Sequence, residues 1–470
     1  MTTLRDPSQL KPLQITAVEW QTQRKHSTLW LDYGFGKTVI TLTSINHLIA
    51  KNVISKVLIV APLRVIHLVW RQEALKWSHT QHLKFSTITG NQYQRFASVT
   101  RDADIYLINY ENLHWLCSVF YRYYKKRNRS IPFDGLVWDE IVRCKNPNSK
   151  RVKSVFPFID QFKWITGLTG GPAPAGYMDL FGQFLVCDGG QSLGTELSTY
   201  RTRYFNLINS KYYLKENAQS RIHQRINQVT LRAKIPWEEV ETRQNPPVTV
   251  EIELSESLKS QYEQLERELY LKLDNGIEIT PDNAGVLTGK CLQFCNGSIW
   301  HTSENPQWES VHSLKLEALQ EIIDSSNSPV LCAYSFRPDA TRIMRQFRKL
   351  KPVNLSDCQS QTHLEYTLNH WKSGNCQLMI GHPGSMGEGI DGLQSVCHTA
   401  VWFGLPWRLD YYLQFNARLN RTGQKETVNV IHILARNTID RVTAQVLKHR
   451  EVTETTLKNA MEKHKLQTET

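Results

Sequence analysis

The sequence predicts an α/β protein of two tandem parallel-sheet lobes with a mostly helical insertion between them. Three observations lead there. Short apolar runs alternate with amphipathic stretches over the first third of the chain, and the same alternation returns over the last third. The texture between them is richer in charge and helix formers. Residues 57–61, 105–109, 135–138 and 164–168 have the length and unbroken apolar character of strands buried on both faces, with room for helices between them. Residues 330–333, 377–381, 399–403 and 428–433 repeat the pattern. The stretch 187–311 includes the helical pattern 254–273 and the break Pro246-Pro247, and predicts a helical insertion plus linker. The expected organisation is a first lobe over 1–186, insertion and linker over 187–310, a second lobe over 311–450 and a basic helical tail over 451–470.

Composition bounds the function. At about 150 residues per domain, 470 residues allow two to four domains with ample core. No stretch approaches membrane-span length, and residues 1–11 lack a signal-peptide pattern, so no membrane partner is expected. Nine cysteines fall without a Cys-x-x-Cys pair, which argues against a zinc site or disulfide framework. A reducing, cytoplasmic compartment is expected. The net charge of +12 favours a polyanionic partner, with nucleic acid the first candidate.

Asp32-Tyr33-Gly34-Phe35-Gly36-Lys37-Thr38 follows an apolar run, and 39–49 reads as a helix. Glycines there let backbone N–H groups approach phosphates at a helix N-terminus whose dipole favours anions. Lys37 would reach the β- and γ-phosphates and Thr38 would ligate Mg²⁺. Leu31 stands at the first glycine position of the strict phosphate-loop pattern, so the segment alone fits an ordinary glycine-rich turn equally well. A second element adds weight. Residues 133–140 form an apolar strand ending in Asp139-Glu140, where Asp139 would hold Mg²⁺ and Glu140 would orient or deprotonate the attacking water. Near the C-terminus, Arg418 and Arg421 lie three apart on an expected helix, so both guanidinium groups can face one target. Alone this segment fits a solvated basic helix as well; with the upstream loop it suggests a nucleotide held between two lobes, as in an ATP-driven motor.

In this order the elements resemble the Swi/Snf-type branch of superfamily-two helicase-like ATPases, especially the compact versions carried by bacteriophages and bacteria. The resemblance runs from about Leu10 to about Lys448 and implies two RecA-like lobes. Leu10-Lys11-Pro12-Leu13-Gln14 resembles the opening element, whose glutamine, here Gln14, reads adenine. Residues 57–64, ending in Arg64, and 108–113, beginning Ile108-Asn109, are similar to elements along the DNA track. Asp139-Glu140 matches the acidic box, Lys145-Asn146 the pair that follows it, and residues 167–174 the relay between hydrolysis and DNA. His382-Pro383-Gly384-Ser385-Met386-Gly387-Glu388-Gly389-Ile390-Asp391 matches the glycine-rich motif of the second lobe, and Gln414-x-x-x-Arg418-x-x-Arg421-x-Gly423-Gln424 the family's ending.

The resemblance implies ATP and Mg²⁺ as cofactors. Gln14, Asp32, Gly34, Gly36, Lys37, Thr38, Gly389, Asp391 and Gln414 would bind nucleotide, with Thr38 and Asp139 on the metal. Lys37, Asp139, Glu140, Arg418 and Arg421 would be catalytic, the arginines as fingers. Arg64, Asn109, His382 and Ser385 would contact DNA, duplex or branched, without sequence preference. The run 121–129 mixes basic and aromatic residues and fits either a nucleic-acid groove or a solvated loop. Cys291 and Cys295 read as core.

Three positions depart from the family pattern. Ile141-Val142 replaces a small or polar pair, Gly171 a threonine, and Ala175 an asparagine frequent in phage-type proteins. These departures bear on coupling to DNA more than on ATP binding. The leading expectation is a duplex-stimulated translocase that remodels DNA or protein–DNA complexes. The alternatives are a strand-separating helicase or nuclease-partnered motor, and a catalytically weak DNA-binding scaffold.

Overall fold

The computed structural model describes residues 4–31, 33–123, 130–171, 176–208, 211–233, 244–274, 281–300, 307–358, 361–386, 390, 392–421 and 423–449. The chain divides into two compact units, Met1–Trp237 and Glu238–Thr470.

Unbroken apolar runs build the first unit's sheet. Its strands are β1 (His26–Leu31), β2 (Val57–Ala61), β3 (Phe85–Ile88), β4 (Ile105–Asn109), β5 (Gly135–Asp139) and β6 (Trp164–Thr169). An antiparallel hairpin of β7 (Phe205–Ile208) and β8 (Lys211–Leu214) stands apart, and β9 (Thr230–Ala233) returns to the sheet edge. The order is β3-β4-β2-β5-β6-β1-β9 with every pair parallel. Every residue of β2, β4 and β6 is buried, as parallel strands covered on both faces require. One face packs the helices Lys37–Ala50, Leu63–Leu68 and Trp70–Ala74; the other packs Tyr110–Tyr123, Lys150–Val155 and Leu180–Asp188.

A buried polar cluster fixes the helix that follows β1. Gln21, fully buried, donates to Thr41 Oγ1 (3.2 Å) and Thr166 Oγ1 (3.0 Å) and accepts from Ser44 Oγ (2.7 Å). One side chain thereby ties helices Pro12–Thr22 and Lys37–Ala50 to β6. Each such buried group left unpaired would cost about 1–3 kcal/mol.

The second unit repeats the architecture. Its strands are β10 (Val248–Ile252), the antiparallel pair β11 (Ser298–Trp300) and β12 (Trp308–Ser310), then β13 (Val330–Ala333), β14 (Val353–Asn354), β15 (Leu378–Gly381), β16 (Thr399–Trp402) and β17 (Asn429–Ala435). The main sheet runs β10-β17-β16-β13-β15-β14, all parallel. In this unit the buried Lys315 ammonium, on helix Leu314–Ser325, meets Asp440 at 2.6 Å, Asn296 Oδ1 at 2.9 Å and the Phe403 carbonyl at 3.0 Å. Removing one partner of such a pair costs about 3–5 kcal/mol.

The stretch 187–310 contributes to both units: β9 extends the first sheet and β10 the second, while helices Glu256–Asp274 and Pro281–Cys295 supply the expected helical content. Cys291 and Cys295 are fully buried, and all nine cysteines are buried free thiols. Among the described residues no helix is long and apolar enough to cross a membrane. The expected tail, 451–470, lies outside the described residues.

Burial of histidine in the second unit gives its stability a pH dependence. His432 on β17 shares a hydrogen bond of 3.0 Å with the Tyr412 hydroxyl, and burial pushes its pKa down to about 4. Burial, helped by Lys315 and Arg342, takes His312 down to about 4 as well. An unfolded imidazole titrates near ~6.5. Between those values the unfolded chain binds protons that the folded chain does not, so stability falls as pH drops through that window. Asp339, raised by burial from 3.8 to about 6, acts in the opposite sense and offsets one of the two histidines. The full-length protein is therefore expected to lose stability from pH 7 to pH 5, and His432→Gln to flatten that slope by up to about 1.4 kcal/mol per pH unit. Denaturant melts across this range check it; an unchanged slope in the variant contradicts the assignment.

Candidate nucleotide site

β1 carries the chain to the sheet rim, where a glycine-rich loop turns into helix Lys37–Ala50. Gly34 and Gly36 both take left-handed conformations, with φ of +82° and +81°. Gly36 occupies the N-cap position with no side-chain cap. A Cβ there would come within 2.6 Å of Gln14 Nε2, so a side chain would displace that amide in addition to straining the left-handed backbone. Gln14 is clamped, accepting from the Lys11 N–H (2.9 Å) and donating to the Phe35 carbonyl (3.0 Å). The expected adenine reader thus lies directly against the loop. Lys37 folds back to donate to the Leu31 carbonyl at 2.8 Å, with its ammonium 5.3 Å from the Tyr33 ring centre. Thr38 is half-buried in the first helical turn, and Asp32 lies outside the described residues.

Two strands away, β5 ends at Asp139 on the same rim. The indole of Trp70, itself fully buried, donates to Asp139 Oδ2 at 2.9 Å. Glu140 then takes a left-handed conformation (φ 61°, ψ 60°), which costs a non-glycine residue roughly 1–2 kcal/mol. The Tyr110 hydroxyl holds this turn by donating to the carbonyls of Asp139 (2.8 Å) and Glu140 (3.1 Å). Tyr110 is buried between β4 and the acidic turn, and that burial raises its phenol pKa well above the usual value, keeping it a donor. From β6, Thr169 Oγ1 donates to Glu140 Oε2 at 3.3 Å and accepts from the Gly171 N–H at 3.2 Å. Thr169 thus holds the Glu140 carboxylate while Tyr110 holds the backbone of its turn.

The departures from the family pattern have local structural accounts. Ile141 is fully buried, and its side chain fills the space that a Cβ on Gly167 would occupy at 2.6 Å. The Tyr33 ring lies where a Cβ on Gly170 would fall (2.6 Å), and the Tyr33 hydroxyl is 3.5 Å from the corresponding point at Gly171. An aromatic side chain from the loop thus covers the backbone where the larger residue is missing. Ala175 lies outside the described residues. Lys145 pairs with Asp179 at 3.6 Å.

In the second unit, His382 follows β15 and opens the helical turn Pro383–Met386. Ser385 Oγ donates to the His382 carbonyl (2.9 Å) and lies 2.8 Å from Ser356 Oγ, which accepts from the His382 N–H (3.0 Å). The His382 ring accepts from the Gly384 N–H at 3.2 Å, and burial together with Arg408 lowers its pKa. Gly389 and Asp391 lie outside the described residues.

The arginine segment corrects one expectation. Its helix ends at Asn416, and Arg418 and Arg421 occupy the turn beyond it. Leu419, between the two arginines, is fully buried. The two guanidinium groups nonetheless share a target: Arg418 Nη1 donates to the Ile390 carbonyl at 2.9 Å and Arg421 Nη1 at 3.4 Å. Gln414, 7 % exposed, lies on the preceding helix, which Trp402 anchors through its indole to Asn416 Oδ1 (3.0 Å). Gln424 is a clamp, donating to the Cys397 carbonyl at 2.8 Å and accepting from the N–H groups of Lys425 and Glu426.

The first unit brings Gln14, Gly34, Gly36, Lys37, Thr38, Asp139 and Glu140 to one rim; the second gathers His382, Ser385, Gln414, Arg418 and Arg421 around β15 and β16. Arg64 lies in the first turn of helix Leu63–Leu68 after β2, and Asn109, only 5 % exposed, ends β4 with its amide 2.7 Å from Glu111 Oε2. Of the run 121–129, residues 124–129 lie outside the described residues, and Tyr121 and Tyr123 are exposed. Sequence reasoning placed Tyr33, Tyr110 and Thr169 within family-like segments but gave none of them an individual role, and it left Trp70 outside every segment. A polar residue ending an otherwise apolar strand was the available signal for Thr169; Trp70 offered none.

The SNF2-related domain family matches residues 13–293, more than half of the chain. The chain belongs to this family. It is a Swi/Snf-type, helicase-like superfamily-two ATPase by sequence, with the two parallel sheets of that class. It is 30% identical to putative protein p41 of Acyrthosiphon pisum secondary endosymbiont phage 1, over 96% of this chain and 98% of that one. Its fold is similar to the Hef helicase domain of Pyrococcus furiosus (TM-score 0.54, 14% identity, 93% and 98% of the two chains). Another similar structure is the Sulfolobus solfataricus SWI2/SNF2 ATPase core in complex with dsDNA (TM-score 0.44, 19% identity, 94% and 91% covered).

If Thr169 aims Glu140, Thr169→Val should leave nucleotide affinity within about twofold and lower kcat on the order of tenfold. That is the scale of one lost bond to a charged group. Nucleotide titration and single-turnover phosphate release measure the two quantities separately. A wild-type kcat contradicts the role.

Proposed function

We propose that the chain is a nucleic-acid-stimulated ATPase that moves on duplex DNA. The observation that carries this reading is the tethered carboxylate of Glu140, fixed by Thr169 on the rim that also carries the Lys37 loop. A nucleotide triphosphate suits that rim. The loop's left-handed glycines admit close backbone approach, and the uncapped helix start presents N–H groups to phosphate.

Lys37 would exchange the Leu31 carbonyl for phosphate oxygens, and Gln14 would hold the adenine. Asp32, Gly34, Gly36, Gly389, Asp391 and Gln414 would complete the nucleotide contacts. Thr38 and Asp139 suit Mg²⁺, which commonly takes one or two protein ligands together with substrate phosphates. Among the described residues no cluster of three acidic, histidine or cysteine side chains competes for that role. When bound, the metal neutralises charge on the phosphate oxygens. Glu140 would orient a water in line with the γ-phosphorus and take its proton as the P–O bond to the leaving diphosphate breaks. Arg418 and Arg421 would stabilise the transferring phosphoryl group, a role worth about 10³–10⁵ in rate where an arginine finger has been measured.

The net charge of +12 and the family support DNA as the partner. Arg64, Asn109, His382 and Ser385 would contact phosphates, which makes binding salt-sensitive and weakly sequence-specific. Glu140→Gln should bind nucleotide and DNA while turning over at least about 10²-fold more slowly, on the scale of lost general-base catalysis. Lys37→Ala should lose turnover through weakened phosphate binding. Wild-type phosphate release from either purified variant overturns the assignment.

A further inference from the structure

The β7–β8 hairpin has no part in the nucleotide rim and carries an unusual surface. Its register pairs Phe205 with Leu214, Asn206 with Tyr213, Leu207 with Tyr212 and Ile208 with Lys211. At its root Phe205 is buried in the core of the first unit, and Leu214 packs against that core. Beyond the root the hairpin leaves the core. Leu207 is 61% exposed, Ile208 53%, Tyr212 41% and Tyr213 40%. Side chains alternate across a strand, so Leu207 and Tyr212 lie on one face and Ile208 and Tyr213 on the other. Both faces of a two-stranded ribbon thus present large apolar groups to water, an arrangement that is only marginally stable by itself.

The flanking segments identify the partner chemistry. Residues 196–233 hold seven lysines and arginines against two glutamates, +5 of the chain's +12 within 38 of its 470 residues. Arg203, Arg221 and Arg225 are exposed on the helices that frame the hairpin, Leu197–Tyr204 and Ala218–Ile226. Arg201 lies over the Tyr212 ring at 4.7 Å. Exposed aromatic and aliphatic groups amid positive charge match a nucleic acid whose bases are unstacked, where phosphates meet arginines and base faces meet the rings. A purely apolar protein partner would gain nothing from that charge.

The hairpin root is also wired toward the loop that follows β6. The Tyr200 hydroxyl donates to the Tyr177 carbonyl at 2.7 Å, and the Tyr177 hydroxyl lies 3.0 Å from His223 Nε2. Tyr177 opens the turn after that loop, and Asp179 of the same turn pairs with Lys145 beyond the acidic box. A continuous set of contacts therefore joins the acidic turn to the base of the hairpin.

We propose that the β7–β8 hairpin is a base-stacking element that engages unpaired bases where duplex gives way to single strand; this rests on the chain acting on DNA. The test compares the full-length protein with Ile208→Ser/Tyr213→Ser, both exposed positions, and with Tyr213→Trp, which keeps a stacking ring. Fluorescence anisotropy measures affinity for a forked duplex and a blunt duplex of equal length. The wild type is expected to favour the fork, the double serine variant to lose on the order of tenfold in fork affinity alone, the scale of a lost base stack, and Tyr213→Trp to retain the preference. Thermal melting of each variant at the wild-type temperature verifies the fold; if the serine variant melts early, the single Tyr213→Ser and Tyr213→Trp pair carries the comparison. Equal affinity for fork and blunt duplex in the wild type, or an unchanged fork preference in the serine variant, overturns the hairpin's role. A wild-type dimer that the serine variant dissolves, with DNA affinity unchanged, assigns the surface to a second copy of the chain and likewise overturns it. Failure of the wild type to bind either DNA overturns the motor reading instead.

Discussion

Parallel pairing is the constraint on which the rest depends. Every pair in both main sheets is parallel, so all strands of a sheet end on one rim. In the first unit this delivers Leu31, Ala61, Asn109, Asp139 and Thr169 to a single edge, although 138 residues of sequence separate the first from the last. The register sets the detail: Trp30 lies beside Thr169 and Asp139 beside Leu168, so the loop after β1 and the acid after β5 flank the end of β6. Burial on both faces makes that register hard to slip, because a shift of one residue would exchange every side chain between two packed layers. The buried Gln21 cluster locks the helix that carries the loop against the same strand.

On this rigid rim sits one residue in a costly conformation. Glu140 has a left-handed backbone, and the Tyr110 hydroxyl and Thr169 side chain supply the interactions that offset it. Strain of this kind persists only where the surroundings over-determine it, and it is found at functional sites. The substitutions around it are matched in space: Ile141 takes the volume left by Gly167, and Tyr33 covers Gly170 and approaches Gly171. The site thus differs from the family pattern in how its wall is filled, while the loop lysine and the paired acids keep their places.

Much of this was legible in the sequence, for physical reasons. The buried strands were readable because parallel strands covered on both faces must be continuously apolar. The loop and the acidic pair stood out only in combination: a glycine-rich turn and an acid-capped strand are each common, but the two in order within one alternating α/β unit are not. The short edge strands β3, β9, β10 and β14 escaped, since two to five residues at a sheet edge carry little periodic signal, and the central strand β1 escaped because its buried run opens on the polar His26-Ser27-Thr28. The hairpin of β7 and β8 escaped for a similar reason: Asn206 and Lys211 interrupt its apolar pattern. Arg418 and Arg421 were read as a helical pair, whereas the helix ends at Asn416 and both reach the Ile390 carbonyl from the turn beyond; three-residue spacing is compatible with either geometry. Trp70 holds Asp139 across 69 residues, a contact that no local pattern announces.

In the proposed function the rim carrying Lys37, Asp139 and Glu140 hydrolyses nucleotide under the control of DNA. Steady-state phosphate release by the purified wild-type chain, with Mg²⁺ and ATP, in the absence and presence of duplex DNA, tests it most directly. Slow release without DNA is expected, with a rise of at least about tenfold on adding duplex, abolished by removing Mg²⁺ and diminished by added salt as phosphate contacts weaken. Nucleotide binding without release, or release indifferent to duplex at every salt concentration, would contradict it.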